Sequence, residues 1–121
     1  MKSLRLDDQG TTAVEFAIVA PVFIALLIGT LALCVGLFLI GSLHFAVEDA
    51  ARCASVKTAI CSDAPTTVAY AQNHYFGPNV SPTFTYAAAA CGNSVSASIS
   101  YSMNVGFRTF TIPISATACF P

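Results

Sequence analysis

Charged side chains are scarce in this chain. Lysine and arginine together number five among the 121 residues, aspartate and glutamate number six, and the net charge is −1. A nucleic-acid-binding surface needs clustered basic residues that neutralise several phosphates, and five scattered cations cannot supply one. We therefore expect no nucleic acid among the partners. Because 55% of the residues are hydrophobic, the composition favours a membrane-anchored chain or one that packs laterally against copies of itself.

Catalytic and metal-binding motifs are also missing from the sequence. No serine lies in a GxSxG elbow, no glycine-rich phosphate loop occurs, and the cysteines are not spaced as zinc ligands. The two histidines, His44 and His74, lack neighbours of the triad type. His44 lies one helical turn before Glu48, a spacing that could bind a metal, but a solvent-exposed histidine is the alternative because no third ligand is near. The sequence predicts a protein that is not an enzyme and needs no metal or cofactor.

One uncharged run dominates the chain. No Asp, Glu, Lys or Arg occurs between Glu15 and Glu48. A helix rises about 1.5 Å per residue and a hydrocarbon core is about 30 Å thick, so this run is more than long enough to cross a bilayer. We expect a transmembrane helix over residues 11–43 that continues as an amphipathic stalk to about Lys57. A secretory signal peptide is the alternative, but its apolar core would be about half as long.

The charges that flank the run predict its orientation. Lys2 and Arg5 precede it, whereas Glu48 and Asp49 follow it. By the positive-inside rule the N-terminus lies in the cytoplasm and the C-terminal part outside. Lipoprotein processing before Cys34 is a further alternative, although a bulky leucine stands where such a site needs a small residue.

Small residues recur along the run with helical spacing. Spacings of four, three and four place them on one face, as in membrane helices that pack closely against each other. The alternative is that alanine and glycine are simply common in membrane helices. Pro21 removes one backbone donor and should bend the helix near the carbonyl of Ala17. The packing residues expected on this face are Ala25, Gly29, Ala32 and Gly36.

Beyond the stalk, the pattern predicts a short helix and a small sheet. Ser62 to Pro65 stops the first helix and offers an N-cap for a second helix over about Pro65 to Tyr75. Apolar residues then alternate with polar ones over 95–104, the period of a strand with one buried face. We expect further strands over about 84–90 and 109–119, with a turn at 104–107. The fold class is therefore α+β, with the sheet antiparallel and C-terminal.

Four cysteines after the run indicate disulfides in an oxidising compartment. If the hairpin turns near Gly106, residues whose numbers sum to roughly 213 face each other, which brings Cys119 close to Cys91. Cys53 and Cys61 can pair only if the helix breaks between them, because in a continuous helix they would be about 12 Å apart. We favour Cys53–Cys61 with Cys91–Cys119, and the other two connectivities remain open.

The residues from Gln9 to Pro21, QGTTAVEFAIVAP, resemble the opening of TadE-like proteins, which are minor pilins or pseudopilins of the tight-adherence (Flp, type IVb) pilus system. The resemblance continues at Asp49-Ala-Ala-Arg52, at the first cysteine pair and at the closing Ser-Ala-Thr-Ala-Cys-Phe-Pro. It implies that a prepilin peptidase cuts after Gly10. Major Flp pilins are much shorter, so a chain with its own sheet fits a minor pilin.

The resemblance also assigns roles and a place in the cell. Cleavage would leave Thr11 as the mature N-terminus, and Glu15, followed by Phe16, would act in processing or subunit packing. An unpaired carboxylate in lipid costs about 2–3 kcal/mol, so Glu15 should have a partner, and the amine exposed on a neighbouring subunit is a suitable one. The alternative is a glutamate that only marks where the membrane segment begins.

The expected organisation is a prepilin-type leader (1–10), a transmembrane helix (11–43) and an extracytoplasmic TadE-like, pilin-like domain (44–121). The chain would be a single-pass protein of the bacterial inner membrane, and the pilus itself is the alternative location. Its partners would be the prepilin peptidase, other pilus subunits, inner-membrane pilus assembly proteins and the lipid bilayer. The function would be pilus assembly and surface attachment. A pseudopilin of a related secretion machine and a plain anchor for a periplasmic binding module are the alternatives.

Overall fold

The computed structural model describes residues 8–104 and 108–121. Over these residues the chain forms two helices and three strands, and the predicted α+β fold is confirmed. Residues 1–7 of the predicted leader and most of the predicted turn at 104–107 lie outside the described residues. The elements are α1 (Asp8–Val56), α2 (Ala64–His74), β1 (Thr83–Ala89), β2 (Gly92–Asn104) and β3 (Thr109–Phe120).

The chain divides into two compact units, Met1–Cys34 and Val35–Pro121. The described part of the first unit is wholly helical and forms the first half of α1. This helix begins at Asp8, three residues before the predicted start at Thr11. A glycine inside a helix costs only about 1 kcal/mol relative to alanine, so Gly10 does not stop it.

Apolar side chains of this first half of α1 point outwards. Phe16 is 74% exposed, and Leu26 is 65% exposed. Among the described residues, the segment Gly10–Val56 is one helix whose length and hydropathy suffice to cross a membrane. Such a stretch buries its apolar surface only in a lipid phase or against other molecules.

The second unit is built around the remainder of α1. From Val35 to Val56 this helix, together with α2, covers one face of the sheet. Phe45, an apolar residue in this part of α1, is 48% exposed. The buried core consists of Leu39, Leu43, Ala46, Val47, Ala50 and Ala51 of α1, Ala71 of α2, and Phe84, Val95, Ala97, Ile99 and Ala116 of the sheet.

The sheet is antiparallel in the order β1-β2-β3. Ser94 lies opposite Cys119 and Asn104 opposite Thr109, so paired residue numbers sum to 213. The predicted register is therefore confirmed. The tight connection between β1 and β2 needs a glycine at Gly92, where φ is +117° and a Cβ atom would overlap the backbone of Phe120.

The break between the helices is stabilised by a capping box. The Asp63 carboxylate accepts a hydrogen bond from the Thr66 backbone N–H at 2.9 Å. The Asp63 backbone N–H donates in return to the Thr66 hydroxyl at 3.1 Å. These bonds satisfy backbone donors at the start of α2 that have no partner within the helix. The predicted second helix is confirmed to within one residue at each end, Ala64 and His74.

Candidate functional site

The N-terminal element lies on an exposed, continuous helix. Gly10, Thr11, Glu15 and Phe16 all belong to α1, and all are exposed. Glu15 makes no ion pair with any residue in the described ranges. A Cβ atom at Gly10 would meet nothing within 4 Å, so packing among the described residues does not require glycine there. The roles of Gly10, Thr11, Glu15 and Phe16 in processing and subunit packing therefore stay predictions.

Pro21 lies inside α1 without ending it. Its ring leaves the carbonyl of Ala17 without its usual donor. Further along, the Thr30 hydroxyl donates to the backbone oxygen of Leu26 at 2.8 Å, a bond that satisfies the hydroxyl within the helix itself. Both features suit a helix in an apolar environment, where polar groups must find partners within the protein.

The four small residues predicted for helix packing have few neighbours within the chain. Ala25 and Gly29 are exposed, whereas Ala32 and Gly36 are half-buried. A Cβ atom at either glycine would meet nothing within 4 Å. Their role in packing against another helix therefore stays a prediction.

Two disulfides tie the second unit together. Cys53 is joined to Cys61, with 5.8 Å between their Cα atoms, across the break that ends α1. Cys91 is joined to Cys119, with 6.1 Å between their Cα atoms. These are the pairs that the helix break and the hairpin register favour. Cys34 is a free, exposed thiol on α1.

A hydrogen-bond network joins the end of α1 to the sheet. The Ser55 hydroxyl donates to the backbone oxygen of Phe120 at 3.0 Å and accepts from the Asn93 side-chain amide at 2.9 Å. Tyr86 donates its hydroxyl proton to the amide oxygen of Asn93. Sequence reasoning missed these residues because serine, asparagine and tyrosine are equally common on surfaces, and no motif marks them.

Three phenylalanines cluster where α1 meets the segment after α2. The ring centroid of Phe76 lies 5.3 Å from that of Phe45 and 6.2 Å from that of Phe38. The backbone N–H of Phe76 donates to the buried hydroxyl of Ser42 at 3.2 Å, which holds Phe76 in place. All three rings remain about half exposed or more. Ser42, which binds Phe76 of this aromatic cluster, precedes Ser55 by 13 residues along α1.

An open groove of about 540 Å³ lies between α1 and β3. Asp49 reaches His74 of α2, with 3.9 Å between Oδ2 and Nε2, and both side chains are partly exposed. Such an exposed pair contributes little to stability. The groove holds no group of described His, Cys, Asp or Glu side chains that could bind a metal ion. Its lining is Phe45, Glu48, Asp49, Ala51, Arg52, Thr117, Ala118, Cys119 and Phe120.

Two ionisable groups of the domain have shifted pKa values. Hydrogen bonds from the Thr66 side chain and backbone lower the pKa of Asp63 below its ordinary value of 3.8, because they stabilise the carboxylate. Burial raises the pKa of Tyr75, whose hydroxyl donates to the backbone oxygen of Pro78 at 2.9 Å. Both groups stabilise the fold, since each holds a local backbone segment.

The described residues define a class of protein: an exposed apolar helix, long enough to span a membrane, that continues into a small disulfide-bonded α+β domain. Residues 10–52 match the family model described as TadE-like protein. The match runs from Gly10 to Arg52 and confirms the resemblance over these residues. The resemblance at the first cysteine pair and at the closing residues lies outside the match and stays a prediction. The comparison with curated proteins found no match, and neither did the comparison with solved structures.

Proposed function

We propose that this chain is a TadE-like minor pilin or pseudopilin that acts structurally in the biogenesis of a tight-adherence pilus, and thereby in surface attachment. One observation carries the proposal. The segment that matches the family, residues 10–52, contains the stretch of apolar helix that nothing else in the described chain covers.

The exposed helix indicates what kinds of partner the protein has. Full burial of one Leu, Ile, Val or Phe side chain is worth about 1.5–3 kcal/mol. Large apolar side chains such as Val14, Phe23 and Leu33 are 59–67% exposed, so the cost of leaving them all in water is high. A bilayer and the apolar helices of other pilus subunits can each remove this surface from water. Inner-membrane assembly proteins would bind this apolar surface while the chain moves from the bilayer into contact with other pilus subunits.

Glu15 is the residue that processing or assembly would use. Its carboxylate is exposed at the start of the apolar stretch and has no ion pair with the described residues. The amine that a prepilin peptidase exposes at Thr11, after cutting behind Gly10, can neutralise this charge on a neighbouring subunit. Such a pair forms only between cleaved chains, which would couple maturation to assembly.

The two disulfides support a location for the domain. Disulfides persist in oxidising compartments, so the bonds at Cys53 and Cys91 favour the periplasmic or extracellular side. Lys2 and Arg5 favour a cytoplasmic N-terminus. Together they support a single-pass protein of the bacterial inner membrane whose domain lies outside.

The mass of the mature chain tests the proposal. The full chain is expressed in bacterial membranes together with an active prepilin peptidase, and its intact mass is measured. We expect a chain that starts at Thr11. Gly10→Val should block this cleavage, whereas the matched control Gly29→Val, also at an open helical position, should be processed normally.

Other results would identify the alternatives. Two results would contradict the pilin hypothesis. One is an intact leader in the presence of active peptidase, and the other is a cut near Cys34. They would favour an anchored binding module or a lipoprotein. A third result combines correct cleavage with the phenotype of a strain from which the gene is deleted. If that strain no longer secretes but still makes pili, a pseudopilin of a related secretion machine is favoured.

A further inference from the structure

The apolar face of the β2–β3 hairpin continues beyond the core. Along β2, Val95, Ala97 and Ile99 are buried, and the next two residues on this face, Tyr101 and Met103, are half-buried. Their partners on β3 are more open: Ile112, opposite Tyr101, is 46% exposed, and Phe110, opposite Met103, is 45% exposed. We call these four residues, Tyr101, Met103, Phe110 and Ile112, the hairpin patch.

The opposite face of the same strands is polar. It carries hydroxyl side chains and one amide where the patch carries rings and aliphatic groups. Tyr101 still packs against the core, and the hairpin stays amphipathic beyond it, over a length that is buried only in part. Apolar side chains on one face of a two-stranded ribbon give no stabilisation while they are in contact with water. The pattern of this hairpin therefore indicates a partner that covers the apolar face. The polar face consists of Ser100, Ser102, Asn104, Thr109 and Thr111.

Contacts within the second unit show in which direction the hairpin points. At one end, Ser55 binds Asn93 at the start of β2. Further towards the N-terminal side of the helix, Ser42 binds the N–H of Phe76. The preceding residue, Tyr75, lies against the ring of Phe84 with 6.3 Å between centroids. Phe84 pairs with Ala97, so β2 runs from the Ser55 end towards the Val35 end of the helix.

The rise of the strand, compared with the rise of the helix, places the patch near the Val35 end of the helix. From Ala97 to Met103 the strand rises about 20 Å over six residues. From Ser42 back to Val35 the helix rises about 10 Å over seven residues. Within the second unit, the hairpin patch therefore lies towards the Val35 end of the helix.

We propose that the hairpin patch docks on the surface of the bilayer that α1 crosses. Arg108 supports a lipid surface over a protein, because its guanidinium carbon lies 5.4 Å from the ring centroid of Phe110. An arginine beside an aromatic ring can keep its charged head at the phosphate groups while its stem and the ring lie against the apolar part of the lipid. The inference rests on the membrane-crossing role proposed for α1.

Patch size also favours the bilayer over a second copy. A stable protein interface buries about 800 Å² on each partner, which four partly buried side chains cannot provide. A contact with the membrane needs no such area, because a transmembrane helix in the same chain tethers the domain to the lipid at high effective concentration. The contact would limit how the domain tilts over the membrane before assembly.

The chain contains no tryptophan, so the fluorescence of one introduced tryptophan reports on that position alone and can test the lipid contact. The full-length Phe110→Trp variant is reconstituted into vesicles of phosphatidylcholine and phosphatidylglycerol, with or without brominated acyl chains. The control is Thr111→Trp, the adjacent position, which is also exposed but lies on the polar face. We expect a blue-shifted emission and several-fold stronger quenching by brominated lipid for Phe110→Trp than for Thr111→Trp. Ile112→Trp, a second position on the patch, should behave like Phe110→Trp.

Several outcomes would overturn the inference. Equal quenching of the Phe110→Trp and Thr111→Trp variants would show that the patch does not select the lipid. A blue shift that depends on the protein-to-lipid ratio, without quenching by bromine, would show that a second copy covers the patch. Flotation of the vesicles separates this failure from that of the proposed function: a chain that does not float with lipid contradicts both, whereas a floating, unquenched variant contradicts only the hairpin contact.

The role of Arg108 can be tested in the same vesicles. Introduced into the Phe110→Trp variant, Arg108→Glu should reduce quenching more in vesicles rich in phosphatidylglycerol than in pure phosphatidylcholine, because it reverses the attraction to anionic headgroups. Unchanged quenching in the anionic vesicles would exclude a headgroup contact by this residue.

Discussion

The side-chain amide of Asn93 donates a hydrogen bond to the hydroxyl of Ser55 across 2.9 Å, joining the last turn of α1 to the start of β2. The same hydroxyl lies 3.0 Å from the backbone oxygen of Phe120. One serine thus links the helix to two neighbouring strands. Because Asn93 and Phe120 are paired in the sheet, the bonds position the helix end against the sheet.

Removal of this hydroxyl should weaken the domain. In Ser55→Ala the amide of Asn93 and the carbonyl of Phe120 lose a partner, and a part-buried polar group without a partner costs about 1–3 kcal/mol. We expect the free energy of unfolding to fall by about 1–2 kcal/mol, measured by denaturant titration of the full chain in detergent. Ser102→Ala, on the exposed face of β2, should change it by less than about 0.5 kcal/mol.

The cap of α2 should make stability depend on pH. The pKa of Asp63 is lowered in the folded chain from its ordinary value of 3.8, so its stabilisation is present above that value and is lost as the pH falls through the lower folded pKa. Asparagine can also cap a helix but does not titrate in this range. We therefore expect the Asp63→Asn variant to lose less stability on acidification than the wild type, as measured by melting temperature between about pH 5 and about pH 2.

A parallel loss of stability in both proteins would contradict this assignment. Asp63→Ala, which removes the cap altogether, serves as the reference. It should melt below both proteins at neutral pH, because the Thr66 backbone N–H is then left without its side-chain acceptor.

The two disulfides should contribute unequally. Cys53–Cys61 closes a loop with a separation of 8 residues, and Cys91–Cys119 one of 28 residues. The chain-entropy estimate gives about 2.5 kcal/mol for the shorter loop and about 3.6 kcal/mol for the longer. Paired serine variants, compared by denaturant titration, should therefore show the larger loss for Cys91 and Cys119. Cys34→Ser, at the exposed free thiol, is the control and should leave domain stability unchanged.

Two leucines of the same uncharged run should respond very differently to truncation. Leu43 is fully buried in the domain core, whereas Leu33 is 67% exposed. Leu43→Ala should lower the free energy of unfolding of the domain by about 2–5 kcal/mol because it leaves a cavity. Leu33→Ala leaves no cavity, and a change above about 0.5 kcal/mol would show that this part of α1 supports the domain fold.

Local patterns in the sequence were enough to predict the elements and their order. The alternation over residues 95–104 predicts β2 and its buried face, and a hairpin centred near Gly106 predicts the register. The Ser62–Pro65 segment predicts the start of α2 to within one residue, whereas α1 already ends at Val56, six residues before Ser62. Predictions of this kind are possible because side-chain periodicity, proline and capping residues act on the adjacent backbone.

Only the tertiary structure decided which part of the uncharged run belongs to the domain. Leu37 is 68% exposed, and Leu39, two residues later, is fully buried. Phe45 lies outside the core although its neighbour Ala46 lies within it. Sequence reasoning also missed the bridge from Ser55 to Asn93, because the partners lie 38 residues apart.

The physical reason is that lipid and protein core select the same apolar residues. The sequence by itself determined an apolar helix opened by Gly10 and Glu15, a helix break and an amphipathic hairpin. Which face of that helix is buried depends on where the sheet packs, and this follows from contacts between segments distant in the chain. The boundary at Leu39 and the open hairpin patch are therefore properties of the fold.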